Sequence, residues 1–295
     1  MSIISPVIID FHTHIFPPWL RQRRDEFIGS DPCFCSLYSQ PKAKMATVDE
    51  LIASMDEAGI DMSVVLNIGW VSHELCAMTN DYILDSVSHY PARLVAFCAV
   101  QPEAGDAAIA ELERCIAAGA RGIGELRSDL QGFDLADAGT MKPLVDAVQK
   151  YDLILLTHAS EPVGHSYPGK GSITPDKLYS FAVAFRAMKL VCAHWGGGLP
   201  FYALMPEVKQ ALANVFFDTA ATPFLYQPQI FSQASSIIGA DRILFGTDYP
   251  LMHQKRVMNQ IRISELSAED QKGILGTNAE RLLSRTERSG DAAEC

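Results

Sequence analysis

The chain has 295 residues, of which 48% are hydrophobic and 20% charged. That excludes a disordered chain and supplies a core that needs no disulfide or structural metal. A formal net charge of −11 repels phosphate backbones and anionic bilayers, so neither nucleic acid nor membrane is an expected partner.

Short apolar runs recur along the chain and predict buried parallel strands at 6–14, 63–69, 94–101, 119–126, 153–159, 189–195, 215–220 and 242–248. Helical patterns fall between them at 48–58, 73–89, 107–118, 141–151, 175–187, 202–213 and 227–238, and a helical C-terminal stretch runs from His253 to about Leu283. Alternation of this kind predicts an α/β protein with a parallel sheet. Eight units fit closure into a single-domain (β/α)8 TIM barrel over 1–283; an open doubly wound sheet is the alternative. The segment 15–47 is too long for a simple loop and carries Pro17, Pro18, Trp19, Tyr38 and Pro41. It follows the first strand, so it is expected over the active-site face as a lid or pocket wall, or else as a surface excursion. The loop 161–174 overhangs the same face, and 284–295 reads as a flexible tail.

The cysteines number seven, and Cys98 and Cys192 lie in apolar runs, where a free thiol packs as a small hydrophobe. With no basic leader before Asp10 and no run of about 20 apolar residues, the expected setting is the cytoplasm.

Chemistry-bearing residues gather at the strand ends. His12 and His14 close the first strand on one face, because side chains alternate. Asp10 shares their parity and is expected to orient a ligand from behind. His158 ends strand five, His194 strand six and Asp248 strand eight, each capping an apolar run. In a parallel barrel those ends converge on the mouth where active sites sit. Imidazole and carboxylate donors suit a divalent metal: zinc is the expected ion, with manganese, iron or nickel as alternatives, and one or two ions.

This pattern resembles the amidohydrolase superfamily, whose members share the barrel, a His-x-His on strand one, histidines after strands five and six and an aspartate after strand eight. The segments DFHTH at 10–14, HWGG at 194–197 and FGTDYP at 245–250 are similar to the amidohydrolase-related branch that includes aminocarboxymuconate-semialdehyde decarboxylase. Glu125, which ends strand four, is similar to the glutamate of TatD-type deoxyribonucleases. If it bridges two ions, His12, His14 and Asp248 hold the first while His158 and His194 hold the second. Otherwise it supports a ligand, contacts substrate, or pairs with Arg127, which has the same parity.

The resemblance implies a metal-dependent hydrolase that uses a metal-activated water on the ester, lactone or amide bond of a small organic substrate. Asp248 would move the proton, and His194 would orient the water or steady the oxyanion. The alternative is a metal-dependent non-oxidative decarboxylase of an unsaturated or aromatic acid. A TatD-like nuclease is opposed by the acidic balance, and a metal-holding barrel without turnover by the full ligand set. A carboxylate substrate needs a cationic anchor: Arg127 first, then Lys170 or the cluster Arg21, Arg23 and Arg24. The loop 164–171 nearly spells a phosphate-binding loop, but Gly171 lacks the required hydroxyl and Pro168 removes a backbone donor. It reads instead as a pocket loop through which His165, Tyr167 and Lys170 touch substrate. A homodimer is left open.

Overall fold

All eight apolar runs form strands, and each pairs in parallel with the next, in the order β1 to β8. The computed structural model describes residues 7–284. The strands are β1 Ile9–His14, β2 Met62–Leu66, β3 Leu94–Cys98, β4 Gly122–Leu126, β5 Ile154–Thr157, β6 Lys189–Cys192, β7 Val215–Asp218 and β8 Ile243–Leu244. The chain following β8 closes the ring on β1: Phe11 N donates to Phe245 O at 2.7 Å, His14 N to Tyr249 O at 2.7 Å and Asp248 N to His12 O at 2.9 Å. The result is the expected (β/α)8 barrel, with helices between successive strands.

The strands divide their apolar residues between two layers. Phe11, Leu66, Phe97, Leu156, Val191 and Leu244 belong to an inner cluster. Val65, Ile123, Leu155, Leu190 and Phe217 pack instead with helix residues such as Leu51, Leu112 and Phe181. That division explains why the runs read as near-continuous hydrophobic strings: both faces of each strand are covered.

Several elements are shorter or more broken than their sequence patterns. The helix expected at 202–213 is two pieces, Leu199–Tyr202 and Pro206–Ala211, because Pro206 cannot continue a preceding helix. The C-terminal stretch divides into Gln254–Arg262, Ala268–Lys272, a π-turn at Gly273–Thr277 and Asn278–Leu283. Residues 285–295 of the expected tail, and Pro6 of the first strand, lie outside the described residues.

The 15–47 insertion is a small lobe with helices Pro18–Gln22, Arg24–Ser30 and Pro32–Tyr38. It has its own aromatic core, in which Phe34 stacks on Trp70 at 5.5 Å and lies 4.9 Å from the Tyr38 ring. Asp31 ties it to the barrel by accepting from Phe34 N at 2.8 Å and from Val71 N at 2.9 Å. Arg24 then fixes the return chain by donating to the carbonyls of Tyr38, Gln40 and Ala43. No helix among the described residues is long and apolar enough to cross a membrane.

Candidate metal centre and pocket

The C-terminal ends of the strands bring His12, His14, Glu125, His158, His194 and Asp248 together around one buried point. A register shift in β1 between Asp10 and Thr13 sets the first two. Asp10 bonds no imidazole nitrogen among the described residues; its Oδ1 accepts from the backbone N of His12 at 3.3 Å. Its carboxylate also accepts from Thr247 Oγ1 at 2.6 Å, Thr247 N at 3.0 Å and Gln254 Nε2 at 2.9 Å. It orients no imidazole; it pins β1 to the loop that carries Asp248. Burial pushes this carboxyl up to about 6.

The residue that does orient His12 is Asp218, the last residue of β7. Its Oδ2 lies 2.8 Å from His12 Nδ1, while its Oδ1 accepts from His194 N at 2.9 Å and Ala220 N at 3.0 Å. Fixing Nδ1–H on a carboxylate leaves the Nε2 lone pair aimed inward, an arrangement common behind metal-ligating histidines. Sequence reasoning passed over Asp218, although it ends an apolar run just as His158, His194 and Asp248 do. The ends of β6, β7 and β8 are also where non-glycine residues take left-handed backbone angles: φ is 54° at His194, 58° at Trp195, 55° at Ala221 and 65° at Asp248. Such positions cost roughly 1–3 kcal/mol each and persist only where the surroundings impose them. Gly197 must be glycine here, since a Cβ would lie 2.3 Å from Ser160 O.

Two donor triads result, His12–His14–Asp248 and His12–Glu125–His194. His12 Nε2 and His14 Nε2 are 3.0 Å apart, and Asp248 Oδ1 is 3.3 Å from His14 Nε2 and 3.9 Å from His12 Nε2. Glu125 sits among the imidazoles. Its Oε1 is 2.8 Å from His158 Nδ1 and 3.5 Å from His194 Nε2, and its Oε2 is 3.9 Å from His14 Nε2 and 4.0 Å from His12 Nε2. His158 has both ring nitrogens engaged, Nδ1 on Glu125 and Nε2 on Ser160 Oγ at 3.0 Å, and stands outside both triads. Arg127 does not pair with Glu125. It binds Asp129, with Nε 3.2 Å from Oδ1 and Nη2 3.4 Å from Oδ2.

The electrostatics suit a cation. Burial favours neutral carboxyls, but His158 and His194 hold Glu125 well below the usual carboxylate range, and His14, His12 and His194 lower Asp248. Burial likewise opposes charge on His12, yet Asp218, Glu125 and Asp248 lift it to about 10. Burial and Arg127 push His158 down to about 4, so it is neutral at pH 7. Ligands held about 2.0–2.2 Å from one ion lie roughly 3–4 Å apart, which the triads match. The residues present therefore fit a divalent cation.

One consequence is measurable. His12 holds a proton up to about pH 10, and His194 is raised by Glu125 and Asp248 against the effect of burial. A cation that takes His12 Nε2 must displace the His12 proton, so loading releases it and weakens as pH falls. Affinity is expected to drop about tenfold per pH unit per displaced proton below about pH 10. Chelator competition at pH 6, 7 and 8 checks this; a flat affinity contradicts it.

A cavity of about 410 Å³ opens from the centre. His14, Glu125, His158, His194 and Asp248 border it, together with Arg127 from the end of β4, Tyr38, Lys42 and Lys44 from the lobe, and His165 and Tyr167 from the loop after β5. Phe224, Leu225, Pro250 and Leu251 add apolar wall. Of the 15–47 lobe, Leu37, Tyr38, Gln40, Lys42, Ala43 and Lys44 line the cavity. Gly69 lets Arg127 in, since a Cβ there would lie 2.6 Å from Arg127 Cβ. Lys170 is not among the residues that border the cavity; its Nζ donates to the carbonyls of Val163 at 2.8 Å and His165 at 3.1 Å and so closes its own loop. The Arg21, Arg23 and Arg24 cluster does not border the cavity either, being tied to Glu50, Glu26 and backbone carbonyls.

A family model described as amidohydrolase matches residues 9–285. The chain belongs to the amidohydrolase family. Among relatives of this amidohydrolase, gamma-resorcylate decarboxylase of Polaromonas sp. strain JS666 is 24% identical, over 80% of this chain and 86% of its own length. The 2-amino-3-carboxymuconate-6-semialdehyde decarboxylase of Dictyostelium discoideum is 21% identical, over 93% of this chain and 91% of its own. A solved structure of 5-carboxyvanillate decarboxylase from Novosphingobium aromaticivorans, complexed with manganese and 4-hydroxy-3-methoxy-5-nitrobenzoic acid, has a TM-score of 0.77 at 18% identity, covering 95% of this chain and 96% of that one. These relatives break a carbon–carboxylate bond. They overturn the expectation of a hydrolase, the nuclease reading included, in favour of the lyase alternative. The expectation of zinc in particular gains no support from a relative named with manganese.

Proposed function

We propose that this chain is a metal-dependent, non-oxidative decarboxylase of an aromatic or unsaturated carboxylic acid. The observation that carries the reading is Arg127. Its side chain is 1% exposed and borders the same cavity as the metal donors, and its Nη1 is buried without a hydrogen-bond partner. An unsatisfied buried guanidinium nitrogen is costly, and a substrate carboxylate satisfies it with a charge-assisted bond. The names of the relatives point the same way.

One ion is proposed, with manganese the first to test. His12 belongs to both triads but has only Nε2 to give, since Nδ1 is held by Asp218. The triads therefore cannot both be filled. His12, His14 and Asp248 form the primary set, with Glu125 and His194 beside it. When bound, the ion supplies positive charge that draws the carboxylate in and stabilises charge developing on the substrate.

The chain's own residues do the rest. Arg127 holds the carboxylate. Asp248, whose side chain is 17% exposed and borders the cavity, carries the proton. The proton adds to the carbon bearing the carboxylate. The C–C bond then breaks, its electron pair restores the unsaturation, and CO₂ leaves. One proton is consumed, no oxidant is needed and no water oxygen enters the product. His194, whose Nε2 is 3.5 Å from Glu125 Oε1 and which borders the cavity, positions the reacting carbon. Tyr38, His165 and Tyr167 complete the wall against which the ring lies.

The test follows from that balance. Manganese-loaded protein is offered hydroxy- and aminobenzoic acids alongside esters, lactones and amides in D₂O. The expected result is CO₂ release with one deuterium on the vacated carbon, read by NMR. Hydrolysis of a neutral substrate with no CO₂ from any acid would falsify the proposal.

A further inference from the structure

We propose that Lys42 and Lys44 form a distal anion subsite at the cavity mouth, so that the preferred substrates are dianions carrying a second carboxylate remote from the one that is lost. This rests on the decarboxylase reading for the fate of the first carboxylate; the subsite itself rests on charge and placement.

The chain as a whole carries a net charge of −11, and many of its cations are spent within it. Arg21 pairs with Glu50, Arg93 with Asp56, Lys142 with Asp146 and Lys255 with Glu57. Lys42 and Lys44 have neither a carboxylate nor a carbonyl partner among the described residues, and both border the cavity. Other unpaired cations, Lys177, Arg186 and Lys209 among them, do not border it.

The cavity's own charges sharpen the point. Among the described residues, the carboxylates that border it are Glu125 and Asp248, both belonging to the metal donor set. A divalent ion balances those two, and Asp129 balances Arg127. That leaves the charges of Lys42 and Lys44 without counterparts, a positive mouth on a negative protein. Such a cleft concentrates anions and orients them.

The backbone beneath the lysines is held while their heads are free. Arg24 donates to the carbonyls of Gln40 and Ala43, Arg21 Nη1 to Met45 O at 3.3 Å, and Phe16 N to Ala46 O at 2.8 Å. The segment from 40 to 46 is thereby anchored on both sides of the pair. An anchored segment with unpaired cations gives a subsite its position without spending its charge.

The experiment measures binding, not turnover. Calorimetry gives the Kd of manganese-loaded protein for benzoate and for benzene-1,3-dicarboxylate at 25 and 250 mM salt. The native chain is expected to favour the dianion about tenfold at low salt, less at high salt, as partly exposed charge pairs do. In Lys42→Ala/Lys44→Ala the ratio falls to near one, and Lys42→Arg/Lys44→Arg restores it. A native ratio near one, a ratio unchanged in the alanine variant, or no binding of the dianion overturns the subsite. An intact, lysine-dependent ratio in a protein that releases CO₂ from no acid supports the subsite and fails only the decarboxylase reading.

Discussion

Asp248→Asn is expected to lose about 10²–10⁴ in kcat while keeping the fold. Asparagine matches aspartate in shape and is one of the few residues that tolerates left-handed backbone angles, so the φ of 65° at this position survives. The backbone bond from residue 248 to His12 O, 2.9 Å, is independent of the side chain. The loop's other anchors, Thr247 on Asp10, are likewise untouched. What is lost is the ability to take up and deliver a proton, together with one negative charge facing His14 at 3.3 Å. Manganese affinity therefore weakens but does not vanish, since His12 and His14 remain. Turnover, metal content per chain and thermal melting on the same sample separate these effects. Near-native turnover at full loading would remove Asp248 from the proton path.

The barrel and most of the donor cluster were legible because each element announces itself locally. An apolar run that ends in His158, His194 or Asp248 needs no tertiary information to be read as a strand with a functional tip. Asp218 carried the same signal at the end of β7 and could have been found by the same rule. Asp10 could not be placed that way, because the partners of its carboxylate, Thr247 and Gln254, lie at the far end of the chain. Arg127 shows a second limit. Parity pointed it at Glu125, but Asp129, two residues on, captures it through the turn that follows β4. Lys170 shows a third, since capping carbonyls inside its own loop depends on a loop shape that the glycines permit but do not dictate. The chemistry was the least legible part. A divalent ion beside an aspartate serves water attack and carboxylate loss equally well. The discriminating features are a buried cation with a free nitrogen and the identity of the relatives, neither visible in the motif.

Removing the Arg127 side chain has the second large effect, and its two roles must be separated to read it. Arg127→Met strips the partner from Asp129, whose carboxyl Arg127 lowers against the opposing effect of burial. Breaking a buried pair from one side costs about 3–5 kcal/mol, so a loss of activity in that variant alone is ambiguous. Asp129→Asn in the same chain removes the stranded charge, and the amide oxygen can still accept from Ser172 N, now 2.9 Å from the carboxylate. The double variant is expected to regain most of the melting temperature lost in the single one. It does not regain the nitrogen that has no partner inside the protein, so kcat/KM for aromatic acids stays down by about 10²-fold, in line with the cost of truncating a buried charged contact to ligand. Recovery of stability without recovery of kcat/KM assigns Arg127 to the substrate carboxylate. Recovery of both would make Arg127 a structural partner of Asp129, and the anchor would have to be sought elsewhere on the cavity wall.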